Sequence, residues 1–272
     1  MERTHLNLEK NIPSELSYII KNSSIKKIRI GRSFSNVYYI YNSKLTNNCY
    51  LKTLKSVYET PLYFEMHNLE LLKDILPVPK VLFYQKIDGY EYLLTNEIKG
   101  ANASEEVFKS DPRKTVSLLA NGLRSIHNID IKYYNFKIQR AACSRNILNN
   151  RFYNAIKDKS GDSRLSIIKR FQNIVEYLNS YSPLEDDMVL THGDYCLPNV
   201  IIYKNHINGL IDLGNSAIAD RYQDLALIKK SLKYNGYSDS AIKLFFKEYG
   251  CSDVDEKKLH YYCFLNEKFY NI

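Results

Sequence analysis

Reactive residue types concentrate in one short segment, LTHGDYCLPNVII, at residues 190–202. The segment contains His192, Asp194, Cys196 and Asn199. Zinc usually needs three or four ligands, and His192 with Cys196 supplies two at most, with no H-E-x-x-H motif or paired CxxC to complete them. A Cys196–His192 nucleophilic pair would leave Asp194 and Asn199 unused, and a lone thiol is more often a small buried group.

Phosphoryl transfer uses more of these residues. It needs a carboxylate that orients the attacking hydroxyl and accepts its proton, and oxygen ligands that hold Mg²⁺ on the nucleotide phosphates. Asp194 can be the carboxylate and Asn199 an amide ligand, and the downstream LIDLG adds Asp212. Each side chain alone could simply satisfy backbone groups in a turn. H-G-D-x-x-x-x-N, however, arises by chance in roughly one in a thousand chains of this length. The combination therefore favours phosphoryl transfer.

A β-rich lobe at residues 1–97 is predicted to hold the nucleotide. KKIRIGRSFSNVYYIYN and NCYLKTL read as strands, and LPVPKVLFYQ and EYLLTNEI as two more. TPLYFEMHNLELLKDIL has apolar residues at helical spacing, with Thr60 as the expected N-cap and Pro61 at the first helical position. Lys52 lies on a predicted strand after a Gly/Ser turn, and the helix carries Glu65, which could pair with it.

The rest of the chain, residues 98–272, is predicted to be mainly helical. DPRKTVSLLANGLRSIHNI is amphipathic with Asp111 as its cap, SRLSIIKRFQNIVEYLNSY is a second helix, and residues 220–270 alternate helical patterns with short turns. NVIIYKNHINGLIDLG reads as a β-hairpin that brings Asp212 close to Asn199. The sequence predicts an α+β protein with a small β-rich lobe and a larger helical lobe.

Net charge, cysteine content and apolar stretches limit the classes of binding partner but identify none. The net charge of +8 and the pI of about 9.0 permit attraction to polyanions, but no nucleic-acid signature is present, and no nucleic acid is expected. The five cysteines form no CxxC pair, which argues against a disulfide framework. No signal peptide or membrane-spanning stretch is visible. We therefore expect a cytoplasmic protein that binds no membrane, as a monomer or weak dimer.

Three motifs, HGDYCLPN, IDLG and ADRYQDLAL, resemble the aminoglycoside 3′-phosphotransferases, and LPVPKVLFY and YYCFLNEKF are similar to the same family. The resemblance covers almost the entire chain. It implies a bilobal protein-kinase-like fold, an ATP or GTP donor, Mg²⁺, and an aminoglycoside acceptor. The implied site residues are Asp194 as catalytic base, Asn199 and Asp212 as Mg²⁺ ligands, Lys52 and Glu65 as the phosphate-positioning pair, Ser33 in the phosphate loop, Tyr50 stacking on the base, and the backbone of Asn96 to Ile98 at the hinge. His192, Asp220 and Asp224 would be structural, and Cys196 a bystander.

The substrate side departs from the family pattern. Aminoglycosides carry ammonium groups, so their kinases place carboxylates around them. The family's acidic pair near the C-terminus reads Asn266-Glu267 here, before Phe269, and another often acidic pair reads Tyr234-Asn235. Residues 132–165 are strongly basic, with Asp162 one of two acidic residues among them. The expected substrate residues are Asp162, Asn235, Asn266, Glu267 and Phe269.

The predicted function is an aminoglycoside kinase that acts on the 3′-hydroxyl and gives antibiotic resistance. Two alternatives remain open at this stage. One is a related kinase for another amino alcohol or sugar, and the other is a non-catalytic nucleotide-binding module.

Overall fold

The chain folds into two compact units with interleaved sequence. The computed structural model describes residues 12–28, 35–41, 48–56, 61–132, 160–180 and 187–271. One unit comprises residues 1–101 and 201–215, and the other residues 102–200 and 216–272. The sequence predicted a boundary at residues 97–98 between a nucleotide-binding lobe and a catalytic lobe. It remains a prediction, because the two units are defined by how the chain packs and not by what each lobe binds.

A five-stranded antiparallel sheet forms the body of the first unit, in the strand order β1-β2-β3-β5-β4. Alternating apolar side chains of β2 and β3 face one side and bury Tyr38, Ile40 and Leu51 with Leu94 of β5. The strands are β1 (Ser24–Ile28), β2 (Asn36–Tyr41), β3 (Cys49–Lys55), β4 (Val81–Ile87) and β5 (Tyr90–Asn96).

Two helices accompany this sheet, and one of them was not predicted. Helix α1 (Ser14–Ile19) has six residues and no side-chain cap, so nothing in its sequence marks it, yet it buries Leu16 completely in the core of the sheet. Helix α2 (Leu62–Leu72) was predicted one residue too early: Pro61 is extended and precedes the first helical residue. Thr60, the expected cap, lies outside the described residues.

A β-hairpin completes the first unit as the sequence predicted. Strands β8 (Val200–Tyr203) and β9 (His206–Leu210) join through Lys204 and Asn205, which have φ of 47° and 65°. Two consecutive positive φ values are those of a type I′ turn, whose twist suits a two-residue hairpin. The Leu210 N–H donates to the Pro77 carbonyl at 2.8 Å, fixing β9 to the connection before β4. The three-stranded sheet has the order β6-β8-β9, with β6 at Ala101–Asn102.

The second unit is mainly helical and carries the segment HGDYCLPN. Strands β7 (Met188–Thr191) and β10 (Ala217–Asp220) pair antiparallel on either side of it in sequence. The predicted cap of α3 is confirmed, since the Asp111 carboxylate accepts the Lys114 N–H at 3.1 Å. The helices are α3 (Pro112–His127), α4 (Gly161–Ser180), α5 (Tyr222–Tyr234), α6 (Asp239–Tyr249) and α7 (Glu256–Asn271). Within the described residues, no helix combines the length and apolar character that a membrane span needs.

Candidate active site

A buried carboxylate fixes the backbone at the start of the HGDYCLPN loop. The Asp224 Oδ2 accepts the His192 N–H at 2.7 Å, and its Oδ1 accepts the Gly193 N–H at 2.9 Å. The same Oδ2 lies 3.1 Å from Nε2 of His127 on α3. Gly193 has a φ of 80°, a conformation that glycine adopts without strain. These bonds hold the peptides that immediately precede Asp194, so Asp224 anchors the loop, in keeping with the structural role that the resemblance implied.

Asp194 and Asn199 are brought together inside the loop. The Asn199 Nδ2 donates to the Asp194 Oδ2 at 2.9 Å and to the Asp194 carbonyl at 3.0 Å. A 3₁₀ turn at Leu197–Asn199 makes this approach possible. Because the amide nitrogen is directed to Asp194, the carbonyl oxygen of Asn199 is its remaining atom for a cation.

His192 has a structural position, as the resemblance implied. Its side chain is buried, its ring lies edge-on to Tyr195 at 5.7 Å between centroids, and its Nδ1 accepts the Asp194 N–H at 3.3 Å. Tyr195 is buried too and donates its hydroxyl to the Leu119 carbonyl at 2.9 Å. Burial raises the pKa of Tyr195 well above its ordinary value, with Asp224 adding to the effect. These two buried rings therefore support the loop by packing.

Lys52 and Glu65 form the ion pair that was predicted in the first unit, and Asp212, predicted as a Mg²⁺ ligand, also contacts Lys52. The Lys52 ammonium is 2.7 Å from Oε1 and 2.9 Å from Oε2 of Glu65, and it also contacts Oδ1 of Asp212. Burial would lower the pKa of Lys52, but the two carboxylates outweigh this and raise it. Burial raises the pKa of Glu65 against the opposing effect of Lys52. Lys52 is thus a permanent cation held in place from two sides.

Asp212 is presented by a strained backbone. It has a φ of 62°, in the left-handed region that non-glycine residues seldom occupy. A 3₁₀ turn, Leu213–Asn215, follows it, and the Leu213 carbonyl accepts a bond of 2.7 Å from Nδ2 of Asn68 on α2. Its side chain is 44% exposed, compared with 11% for Glu65. Of the two carboxylates, Asp212 is therefore the one open to a cation from solvent.

The residues predicted around the base lie on neighbouring strands. Tyr50 on β3 is half-buried, and its ring centroid lies 4.9 Å from that of Tyr39 on β2. Asn96 ends β5, accepts the Lys80 N–H through Oδ1 at 2.5 Å and thereby ties the hinge to the start of β4. Ile98 packs against Gly209, where an added Cβ would lie 2.6 Å from the Ile98 side chain. Ser33 lies outside the described residues.

The predicted substrate residues are spread over three helices of the second unit. Asp162 is exposed in the first turn of α4, and Asn235 follows α5 and donates to the Ser231 carbonyl at 2.8 Å. Asn266 is on α7. Glu267 and Phe269 belong to the same helix, but their side chains are outside what the structure describes. In the described parts of the chain, no hydrogen bond joins Asp162, Asn235 and Asn266, so their substrate role stays a prediction.

The oxygen donors suit Mg²⁺ better than zinc. Asn199 offers an amide oxygen and Asp212 a carboxylate, the hard ligands that Mg²⁺ prefers. Among the described residues, no three His, Cys, Asp or Glu side chains are grouped as a metal site.

Sequence reasoning missed two supporting side chains. His127 contacts Asp224, and Glu91 on β5 accepts the Tyr63 N–H at the start of α2 at 3.0 Å. The sequence did carry a signal for Glu91, which is a charged residue within a predicted strand. In the structure Glu91 is 1% exposed, and a buried carboxylate needs partners. His127 carried no such signal, because a histidine at the end of an amphipathic helix is common.

Comparison with known proteins places the chain among phosphotransferases. The phosphotransferase enzyme family matches residues 24–260. The chain is 34% identical to an aminoglycoside 3′-phosphotransferase of Niallia circulans, over 96% of this chain and 98% of that protein. It is 31% identical to another of the same name from Enterococcus faecalis, over 95% and 98%.

Solved structures show the same fold at lower identity. Aminoglycoside-3′-phosphotransferase of type VIII has a TM-score of 0.75 at 23% identity, covering 90% of this chain and 93% of that one. The aminoglycoside phosphotransferase APH(3″)-Id of Streptomyces rimosus, in complex with ADP and streptomycin, has a TM-score of 0.72 at 20% identity, covering 93% and 96%. The predicted α+β, protein-kinase-like fold class is confirmed.

Proposed function

Because the chain belongs to the phosphotransferase enzyme family, we propose that it transfers the γ-phosphate of ATP or GTP to an aminoglycoside, at the 3′-hydroxyl, and so gives antibiotic resistance. Two relatives covered almost completely by the chain bear the name aminoglycoside 3′-phosphotransferase. The observation that carries the proposal is the contact between Asp194 and Asn199, inside a loop whose backbone Asp224 anchors.

Asp194 is the proposed catalytic base. Phosphoryl transfer is catalysed mainly by positioning and electrostatics, so the carboxylate must point in one fixed direction. The Asn199 amide binds Oδ2 of Asp194 and restricts its rotation. The anchored peptides of His192 and Gly193 fix the backbone before it. In this arrangement Asp194 would orient the acceptor hydroxyl and take up its proton.

Asn199 and Asp212 are the proposed Mg²⁺ ligands, and Lys52 is the proposed contact to the phosphates. A bound Mg²⁺ would neutralise charge on the transferring phosphoryl group. Glu65 holds the Lys52 ammonium through both of its oxygens, which orients a cation whose stem is otherwise flexible. Tyr50 and the hinge of Asn96 to Ile98 would receive the base. We propose a cytoplasmic enzyme that acts as a monomer or weak dimer.

Mass spectrometry of three antibiotics tests the acceptor and the position together. Kanamycin, neomycin and lividomycin are incubated with the protein, ATP and Mg²⁺, and lividomycin is the informative one because it lacks a 3′-hydroxyl. We expect kanamycin and neomycin to gain one phosphate and lividomycin to gain none at a 3′ position. If none of the three is modified, the acceptor assignment is wrong.

The variant Asp194→Ala tests the proposed base. We expect turnover to fall by about a thousandfold or more while ADP binds with unchanged affinity, because the proposed nucleotide contacts Lys52 and Tyr50 lie elsewhere. Steady-state kinetics and calorimetric titration with ADP measure the two quantities. Cys196→Ser, in the same loop, is the matched control and should retain turnover near that of the unaltered protein. Normal turnover in Asp194→Ala would refute the assignment.

A second candidate has one observation in its favour. Asn235 and Asn266 stand where the family often has acidic residues, and a neutral amide attracts an ammonium group less strongly than a carboxylate does. This favours an acceptor with fewer amino groups, such as another amino alcohol or sugar. A panel of such hydroxylated compounds, assayed by ADP release, distinguishes this candidate from an aminoglycoside kinase.

A further inference from the structure

The proposed hinge contains a carboxylate that the proposed function leaves unused. Glu97 is the middle residue of the segment Asn96 to Ile98, whose backbone is expected to hold the base, and that expectation gives its side chain no role. Its two carboxylate oxygens are both engaged, Oε1 by the Tyr39 hydroxyl at 3.0 Å and Oε2 by the Asn48 amide nitrogen at 2.9 Å. The carboxylate is therefore already bound by the protein's own donors.

These three side chains form a closed ring of hydrogen bonds. The Asn48 Nδ2 donates a second bond to the Tyr39 hydroxyl oxygen at 2.8 Å. The Tyr39 proton and both amide protons of Asn48 are thus used, each on a different acceptor. The ring joins β2, the residue before β3 and the residue after β5, which meet at one end of the sheet.

The backbone of Glu97 is fixed as well. Its N–H donates to the Asn48 carbonyl at 2.8 Å, and its carbonyl accepts the side-chain amide of Asn96 at 3.0 Å. All four polar groups of Glu97 are therefore bonded within the first unit. These bonds fix both the side chain and the backbone of Glu97, and with them the position of the residues on either side of it.

The same tyrosine also supports the ring expected to stack on the base. Tyr39 and Tyr50 are directly opposite in the register of β2 and β3, with ring centroids 4.9 Å apart and planes inclined at 40°. Burial and the bond to Glu97 raise the pKa of Tyr39 to about 12. Its hydroxyl therefore keeps its proton at neutral pH and remains a donor.

We propose that Tyr39 and Asn48 are positioning residues for the nucleotide base, acting through Glu97 on the hinge and through Tyr50 on the stacking ring. The inference rests on the nucleotide site of the proposed function. A hinge and a ring that are fixed before binding lose less conformational entropy when the base arrives, which raises affinity without a direct contact.

The test compares a ligand that has a base with one that has none. In Tyr39→Phe and Asn48→Ala, calorimetric titration with Mg²⁺ present should show ADP binding about tenfold more weakly, the effect of losing roughly one charge-assisted hydrogen bond. Inorganic pyrophosphate, which can contact Lys52 but not the hinge, should bind as it does to the unaltered protein. Pyrophosphate binding also reports that each variant is folded.

Tyr41→Phe is the matched control. Tyr41 lies two residues along the same strand, is 47% exposed, and contacts Tyr39 with its ring at 4.4 Å between centroids. Its loss of a hydroxyl should leave ADP affinity unchanged. In steady-state assays, Tyr39→Phe should raise the KM for ATP and leave kcat and the KM for the acceptor unchanged.

Two results would overturn the inference: unaltered ADP affinity in both variants, or an equal loss of ADP and pyrophosphate binding. The second would mean that the ring only stabilises the fold. Because these titrations need no acceptor, failure to phosphorylate an aminoglycoside would refute the proposed function and leave this inference standing.

Discussion

Asp224 shows how much one carboxylate can organise. Its side chain is fully buried, and the two backbone N–H groups and one imidazole nitrogen that surround it share its two oxygens. A buried carboxylate is tolerated only when it is satisfied in this way. The Asp224 carboxylate holds the backbone beside Asp194 in place by accepting both N–H groups. A neutral residue of the same shape cannot accept both bonds.

The variant Asp224→Asn tests this at the residue scale. An asparagine has one acceptor oxygen, so its amide N–H₂ must face either the His192 or the Gly193 N–H. We expect the free energy of unfolding to fall by about 3 kcal/mol and kcat to fall with it, while ADP affinity is unchanged. Urea denaturation, steady-state assays and ADP titration give these values. Asp253→Asn, at an exposed position, should change neither stability nor kcat. Equal stability of the two variants would contradict this role of Asp224.

At the scale of elements, α2 depends on a strand residue for its N-terminal cap. Pro61 provides no side-chain bond there, and the Glu91 carboxylate accepts the Tyr63 N–H at 3.0 Å and the Tyr84 hydroxyl at 3.2 Å. A negative charge at a helix N-terminus also complements the helix dipole. Since α2 carries Glu65, this cap contributes to the position of the Lys52 pair.

Glu91→Gln should therefore weaken both stability and nucleotide binding. Glutamine can still accept one bond, but the charge is lost, so we expect a loss of about 1–2 kcal/mol in unfolding free energy. ADP affinity should fall measurably in the same variant. Glu70→Gln removes a carboxylate from the exposed face of the same helix, where its pair with Lys73 is screened by solvent and contributes little to stability. A Glu91→Gln protein as stable as Glu70→Gln would show that the cap is unimportant.

A glycine after the hinge allows the close approach of β8. Gly100 has a φ of 143°, and a Cβ there would lie 2.5 Å from the carbonyl oxygen of Ile202. Gly100→Ala should cost about 3 kcal/mol or more in unfolding free energy, because both the backbone and the clash oppose it. Gly89→Ala, at a φ of 77° with open space around it, should cost about 1 kcal/mol. Thermal and urea unfolding measure the difference, and equal losses would mean that β8 moves away without cost.

Sequence patterns within a few residues predicted turns and helix caps, but they did not predict contacts between residues far apart in the chain. The hairpin of β8 and β9 and the cap at Asp111 follow from turn residues and periodicity within a few positions. Helix α1 was missed because it has only six residues and no side-chain cap. Its stability comes from burying Leu16 against the sheet, a contact that local sequence does not reveal. The Glu91 cap joins residues far apart in sequence, and one sequence alone contains no record of such a pairing.

At the scale of the whole molecule, the first unit is built from two separate pieces of chain. Residues 201–215 return to it, and Asn208 donates to the Lys99 carbonyl at 2.7 Å while the Leu213 carbonyl accepts from Asn68. Lys52 likewise has one carboxylate partner from each piece. The first unit, which contains the proposed nucleotide site, is therefore incomplete without residues 201–215.

A fragment of residues 1–101 should accordingly bind ADP much more weakly than the full chain and unfold without a cooperative transition. Joining residues 201–215 to that fragment through a short glycine linker should restore part of both properties, because it returns Asp212 and the bonds to Lys99 and Asn68. Circular dichroism in urea and ADP titration compare the two fragments. A cooperative, ADP-binding fragment without residues 201–215 would show that the two pieces are independent.

The cluster of Lys52, Glu65 and Asp212 has a consequence for the order of events in solution. Asp212 is the exposed carboxylate of the cluster, and a carboxylate there repels an anionic nucleotide while attracting a divalent cation. Cation and nucleotide should then bind with positive cooperativity, each raising the affinity for the other by the same factor. Titrating ADP over a range of Mg²⁺ concentrations measures that linkage, and Asp212→Asn should reduce it by removing the exposed carboxylate of the cluster.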